Sequence, residues 1–129
     1  MLAGGQAVYH ILVENSFSAA HFIQKYEGPC GELHGHTWKV QVEVQTTKIN
    51  KLGISIDFKD LKAITESIIG RLDHQHLNKI SPFDQQNPTA ENLSKYFYYE
   101  IQKKLPETIQ MSRVTVWESD STSVTFSES

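Results

Sequence analysis

A strictly alternating run in the first half of the chain constrains the fold more than any other feature. In residues 37–47 polar residues alternate with four apolar ones, Trp38, Val40, Val42 and Val44. A period of two is typical of a β-strand that has one buried face and one solvated face. We therefore expect a long strand here, in a sheet with an apolar core on one side only.

The elements around this strand indicate an α+β fold. Further strands are predicted at 7–18, 111–117 and 123–126. Both predicted helices lie between the second and third strands, which favours an antiparallel sheet covered by helices on one face. We expect a single domain over residues 1–129, with a four-stranded sheet and two helices. The sheet's edges and open face would then be covered by self-association.

The first predicted helix follows Asp57, a residue type that caps helix N-termini. A turn at residues 50–53 leads towards it through Ile54–Ile56. Gly70 is predicted to end this helix, whose apolar residues recur at helical spacing: Phe58, Leu61, Ile64 and Ile68.

The second predicted helix opens at 87–89, where a Pro and a polar cap stand together. Pro106 is predicted to end it, after an apolar face made of Leu93, Phe97, Ile101 and Leu105.

Composition narrows the classes of function. The net charge of −3, with no basic block, gives no footprint for nucleic acid. No apolar run approaches the roughly 18 residues that a membrane span needs, and the N-terminus has no secretory pattern. Cys30 is the only cysteine, so no disulfide forms within the chain and a reducing, cytoplasmic setting is expected.

A thiol and two imidazoles lie within seven residues, 30–36. His34 and His36 project to the same side of an extended chain, and Gly35 between them allows close approach. His21, upstream, offers a third imidazole. Three histidines and no fourth protein ligand describe a catalytic zinc site with one open position, beside which Cys30 is a reactive thiol. The alternative is a pair of exposed strand histidines.

Two further acidic groups admit two interpretations each. Asp73 could fix the tautomer of His74 in an acid–base pair, or both could belong to a polar, solvated loop. Glu118 could pair with the N–H groups of an amino-pyrimidinone ring, or it is an ordinary residue at a strand end.

The remaining polar candidates have simpler interpretations. Thr89 and Glu91 are by default capping residues at a helix start. His10 is most simply structural, and His76 belongs to the same polar loop as His74.

Taken together, the motifs closely resemble those of the 6-pyruvoyltetrahydropterin synthase/6-carboxytetrahydropterin synthase family. The resemblance covers most of the chain and rests on several motifs in order: 17–21 (FSAAH), 30–36 (CGELHGH), 56–58 (IDF) with 61–62 (LK), 72–74 (LDH) with 77–78 (LN), 88–92 (PTAEN) and Glu118.

The resemblance implies a role for each of these groups. It implies that Cys30 is the proton-abstracting thiolate and that Asp73 and His74 form its proton-relay partner. It also implies a zinc ion and a pterin, held by the remaining site residues: His21, His34 and His36 for zinc, and Glu118, Thr89 and Ala90 for the pterin ring. The family's T-fold closes sheets into a barrel in trimers, and two trimers stack as a homohexamer with active sites between subunits.

Spacing within the family indicates a branch. Cys-x3-His-Gly-His resembles the bacterial 6-carboxytetrahydropterin synthases of queuosine biosynthesis, whereas biopterin-forming members resemble Cys-x5-His-Gly-His. A folate-related branch has Glu where this chain has Gly31, and Glu32 is one residue too late.

The implied activity is that of a lyase that cleaves a carbon–carbon bond. It would convert 7,8-dihydroneopterin triphosphate to 6-carboxytetrahydropterin, acetaldehyde and triphosphate. The alternatives are a 6-pyruvoyltetrahydropterin synthase, which only eliminates triphosphate, and a non-catalytic zinc- or pterin-binding protein.

Overall fold

The computed structural model describes residues 7–128, and its central feature is a five-stranded sheet. The strands are β1 (Tyr9–His21), β2 (His34–Thr46), β3 (Gln75–His76), β4 (Gln110–Ser119) and β5 (Thr122–Phe126). Their order is β3-β1-β2-β4-β5. The four predicted antiparallel strands are confirmed. The two-residue β3, which pairs in parallel with β1, was not predicted. Residues 1–6 and 129 of the predicted domain lie outside the described part.

Two helices cover one face of this sheet, as predicted. Helix α1 (Phe58–Ile69) packs on β1, and α2 (Ala90–Gln102) packs on β4 and β5. The apolar residues of β2 lie under them and are fully buried, whereas the alternate residues of that strand face away from the core. No helix in the range 7–128 is long and apolar enough to cross a membrane.

The ends of α1 follow the predicted signals. The Asp57 side chain accepts a hydrogen bond from the Lys59 N–H at 2.8 Å, and Gly70 is the C-terminal cap. The turn before the helix is also confirmed, since the Gly53 N–H donates to the Asn50 carbonyl at 3.0 Å. Phe58, predicted on the buried face, is instead 64% exposed. It is the first helical residue, and its side chain lies outside the core.

Helix α2 begins as predicted and ends early. The Thr89 hydroxyl accepts from the Asn92 N–H at 3.1 Å and caps the N-terminus. The helix ends at Gln102 because the chain tightens there, with the Lys104 N–H donating to the Ile101 carbonyl at 2.9 Å. The prediction that Pro106 ends the helix is therefore wrong.

The pairing of β1 with β2 extends beyond both predicted strands. β1 runs to His21 and β2 begins at His34, and these two residues are register partners. Ala19 pairs with His36 in the same ladder. This extension brings histidines from two distant segments of the sequence to one end of the sheet.

We expect the core between α2 and the sheet to dominate stability. Phe97 is fully buried and its ring centroid lies 6.0 Å from that of Phe17. Phe97→Ala should lower the free energy of unfolding by about 3–5 kcal/mol, because it removes buried contacts and leaves a cavity. Leu52, 83% exposed, is the control, and Leu52→Ala should change it by no more than about 0.5 kcal/mol. Urea unfolding measures the free energy of unfolding of both variants. Equal losses would contradict the expectation that the core between α2 and the sheet dominates stability.

Candidate metal centre

Three imidazoles and one carboxylate converge at the end of the helix-covered face of the sheet. They belong to His21, His34, His36 and Glu118, and one ligand atom from each lies within 4.8 Å of the others. Alternation along β1 and β2 directs the histidines to the same face as the buried core. The next core residue along β2, Trp38, packs its ring edge-on against His21 and His36, at 4.9 and 5.3 Å between centroids.

Two main-chain carbonyls fix the tautomers of two of these histidines. His21 Nδ1 lies 2.7 Å from the Pro88 carbonyl, and His34 Nδ1 lies 2.7 Å from the Glu32 carbonyl. A carbonyl only accepts, so each Nδ1 carries the proton and each Nε2 presents a lone pair when the ring is neutral. The two Nε2 atoms face each other at 3.0 Å, a separation at which two lone pairs repel unless a cation or proton lies between them.

Burial favours the neutral form of two of these imidazoles. Desolvation is the largest effect on His21 and His36 and lowers the pKa of both, against the opposing pull of the Pro88 hydrogen bond on His21 and of Glu118 on both. Nε2 of His36 is buried and makes no hydrogen bond, although Oε1 of Glu118 is 3.3 Å away. The lone pairs that face each other on His21 and His34, and the unsatisfied buried nitrogen of His36, fit a bound cation. The group could therefore hold a metal ion.

Glu118 lies between the histidine group and a neighbouring pocket. From the sequence we expected its carboxylate to bind a ring and only histidines to bind the metal, whereas the structure also brings it beside His36. Glu118 also lines a pocket of about 260 Å³ together with Ala90, Glu91 and residues of β5. Glu91 was interpreted only as a cap, and its place beside Glu118 depends on how α2 meets β4. Thr89 caps α2 next to this pocket.

Asp73 and His74 lie elsewhere. His74 Nδ1 is 3.1 Å from Asp73 Oδ1, and the Ser18 N–H donates to the same oxygen at 3.0 Å. The Ser18 hydrogen bond, more than the His74 contact, lowers the pKa of Asp73. His74 lines a cleft of about 620 Å³ together with Ala20 and Thr37, which point away from the core, and with His36 of the histidine group. The pair is thus formed, but on the open face of the sheet.

Cys30 is exposed and lies in a short 3₁₀ turn, Pro29–Gly31. Its carbonyl accepts from the Ile23 N–H at 2.9 Å. The turn is tight, since a Cβ on Gly31 would fall 2.0 Å from the Tyr26 carbonyl oxygen. A side chain at position 31 therefore requires the backbone to move. Within residues 7–128, neither Cys30 nor the Asp73–His74 pair joins the metal-competent group.

Fold and site together define a small α+β protein with a metal-competent centre next to a pocket that holds two carboxylates. A family of known proteins is similar to this chain along nearly its whole length. The family model described as 6-pyruvoyl tetrahydropterin synthase matches residues 10–129. The chain belongs to the 6-pyruvoyl tetrahydropterin synthase family.

Individual relatives and structural neighbours carry three different activity names. Dihydroneopterin monophosphate aldolase of Pyrococcus furiosus is 38% identical over 84% of this chain and 88% of its own length. The 6-carboxy-5,6,7,8-tetrahydropterin synthase of Haemophilus influenzae is 27% identical over 94% of this chain and 100% of its own. The structure of Caenorhabditis elegans 6-pyruvoyl tetrahydropterin synthase superposes with a TM-score of 0.81, at 23% identity, over 96% and 98% of the two chains. This superposition supports the fold.

The metal centre generates a direct prediction. His34→Ala removes one of the converging nitrogens and should abolish stoichiometric metal, because two imidazoles do not complete the ligand set. His10→Ala is the matched control: His10 is an exposed strand histidine that contacts Glu43 at 3.2 Å. Metal content after dialysis, measured by elemental analysis, separates the two. Full occupancy in folded His34→Ala would overturn the ligand set.

Proposed function

We propose that the protein is a zinc-dependent 6-carboxy-5,6,7,8-tetrahydropterin synthase that supplies queuosine biosynthesis. The observation that carries this proposal is the convergence of three histidine Nε2 atoms beside a pocket with two carboxylates. Zn²⁺ suits three neutral imidazoles with a position left for substrate. The Haemophilus relative's name and the Cys-x3-His-Gly-His spacing support the carboxy-forming activity.

His21, His34 and His36 would hold the zinc ion. When bound, it would act as a Lewis acid that polarises a side-chain oxygen of the substrate and stabilises negative charge. The chain's own contribution is to fix the ring orientations through the Pro88 and Glu32 carbonyls and to keep water from one side of the site with Trp38.

The adjoining pocket would hold the pterin ring. The amino-pyrimidinone edge presents neighbouring N–H groups, which a carboxylate accepts in a bidentate pair. Glu118 is the proposed anchor, and Glu91 is a second acceptor at the same pocket. Ala90 and Thr89 complete the wall at the start of α2. An anchored ring places the substrate side chain towards the histidines.

Cys30 and the Asp73–His74 pair would move protons. Cys30, as thiolate, would take a proton from the substrate side chain, and His74 would return one, with its ring oriented by Asp73. Proton shifts convert the dihydropterin with its dihydroxylated side chain into a tetrahydropterin with a diketone, as triphosphate leaves. One water then adds to the inner carbonyl and the bond between the two carbonyl carbons breaks. That carbon becomes the carboxyl group, and the outer two leave as acetaldehyde.

We further propose that a second copy completes each site. His74 lies on the open face of the sheet, whereas the histidine group lies on the helix-covered face and shares only His36 with the His74 cleft. The Asp73–His74 pair of a neighbouring copy would then serve the histidine group of this chain. The described sheet ends in β3 on one side and β5 on the other. Edge pairing in a trimer would close sheets into a barrel, and two barrels would form a homohexamer.

A second candidate is an aldolase that acts on a dihydroneopterin phosphate, favoured by the 38% identical Pyrococcus relative. A retro-aldol step needs the same ring anchor and the same proton transfers. It would release glycolaldehyde phosphate and leave a hydroxymethyl-dihydropterin, without loss of phosphate.

Products distinguish the candidates. Purified protein with zinc and 7,8-dihydroneopterin triphosphate should yield acetaldehyde and 6-carboxytetrahydropterin, followed by mass spectrometry. Pyruvoyltetrahydropterin without acetaldehyde would identify the elimination reaction instead. A hydroxymethyl product from the monophosphate would identify the aldolase. No turnover of either substrate, with metal bound, would favour a binding protein.

Mixing two inactive variants tests the shared site. Cys30→Ala and His74→Ala should each keep zinc and fold yet lose turnover, because each lacks one proton-transfer group. Subunits mixed in equal amounts by co-refolding should recover about a quarter of wild-type activity, since one site in four combines an intact Cys30 with an intact His74 from a neighbour. Recovery should be absent when two samples of the same variant are mixed. A mixed sample that stays inactive would place both groups in one chain.

A further inference from the structure

We propose that Asn78 and Asn87 are positioning residues. Their side-chain amides hold residues 22–24, which are hydrogen-bonded to the Cys30 turn, and so keep Cys30 in a fixed position relative to His21. This inference deepens the proposed function and rests on the role of Cys30 given there. It concerns residues 22–24, which follow β1 directly and have no neighbouring strand on one side.

Asn78 supplies the inner clamp. Its Oδ1 accepts from the Phe22 N–H at 2.9 Å, and its Nδ2 donates to the Phe22 carbonyl at 2.9 Å. The two bonds reproduce what a neighbouring strand would offer. β3 pairs with β1 as far as Ala20 and His76, so the amide continues this pairing after the backbone of β3 has ended. Asn78 is only 9% exposed, and solvent does not replace its bonds easily.

Asn87 supplies a weaker, outer clamp. Its Oδ1 accepts from the Gln24 N–H at 2.8 Å, while its Nδ2 lies 3.5 Å from the Gln24 carbonyl. Asn87 immediately precedes Pro88, whose carbonyl fixes the ring of His21. The chain on either side of Asn87 thus restrains both the histidine and the residues that follow it.

The clamped segment in turn holds the thiol. Ile23 lies between the two clamped residues, and its N–H donates to the Cys30 carbonyl at 2.9 Å. The turn around Cys30 has little freedom, because Gly31 packs against the Tyr26 backbone. A displacement of Phe22 is therefore transmitted to Cys30, whereas His21 stays held by its register partner His34 and by the Pro88 carbonyl.

The clamp also links two parts of the catalytic machinery. Asn78 lies on the same short stretch as His74, after the two residues of β3. One side chain thus ties the His74 loop to the Cys30 turn. In an assembly where the Cys30 and His74 of one chain serve different active sites, the clamp would keep these two residues at a fixed distance from each other.

The test compares Asn78→Asp with a matched control. Asp is isosteric, keeps the acceptor for the Phe22 N–H and sets a carboxylate against the Phe22 carbonyl. Asn50→Ala removes two comparable side-chain bonds, from the Leu52 and Ile54 N–H groups at 2.9 and 3.1 Å, in an exposed turn on another loop. Amide hydrogen exchange, zinc content, kcat and KM are measured for both proteins.

We expect the Ile23 amide to exchange about tenfold faster in Asn78→Asp, because the bond to Cys30 opens more often. We expect kcat to fall about tenfold or more while KM and zinc content stay near wild type, since a small displacement of a reacting group costs rate steeply. Asn87→Ala should change both quantities in the same direction by less. Asn50→Ala should change neither.

Three outcomes would overturn the proposal. They are unchanged Ile23 exchange in folded Asn78→Asp, a rise in KM with kcat intact, and equal effects in Asn50→Ala. If Asn78→Asp does not fold, Asn87→Ala decides, and wild-type exchange and kcat there reject the clamp. Hydrogen exchange needs no pterin, so the clamp can be judged even if the proposed reaction fails.

Discussion

The hydrogen-bonded register between β1 and β2 is the interaction on which the rest of the molecule depends. It places Val13 beside Val42 and Phe17 beside Trp38 in the core, and the same ladder places His21 beside His34 at its end. The helices need the core face that this ladder creates, and the metal-competent group needs its last rungs. A slip of either strand by one residue would turn that strand's share of these side chains to the opposite face. Stability and site geometry therefore share one set of backbone bonds.

Electrostatics at the site follow from position rather than from unusual residues. The histidines lie where the apolar core meets solvent, so burial favours the neutral form of His21 and His36 while the group remains reachable. Main-chain carbonyls accept hydrogen bonds from the Nδ1–H groups of His21 and His34, which leaves the Nε2 lone pairs free for a cation. Glu118 brings a negative charge to the edge of the group, which favours a cation further. The arrangement is prepared before any ligand arrives.

Sequence alone predicted the parts whose signals are local. The alternation around Val42, the cap at Asp57 and the shared face of His34 and His36 each depend on residues a few positions apart. The signals that were missed depend on tertiary contacts. His21 was expected to join His34 and His36, but its direct register pairing with His34 depends on how far the β1–β2 ladder extends. The pocket position of Glu91 follows from the packing of α2, and Phe58 is exposed because the core ends before it.

The tight turn at Gly31 has a consequence for how such a chain can change over generations. A carboxylate at position 31 would need a Cβ where the Tyr26 carbonyl oxygen already lies. A single-nucleotide change in the gene that replaced Gly31 would therefore disrupt the turn before the new carboxylate could act. Exchanging the thiolate base proposed at Cys30 for a carboxylate one position along requires an altered loop as well. Thiol and carboxylate versions of this site are thus separated by a barrier in backbone shape, which point substitution alone does not cross.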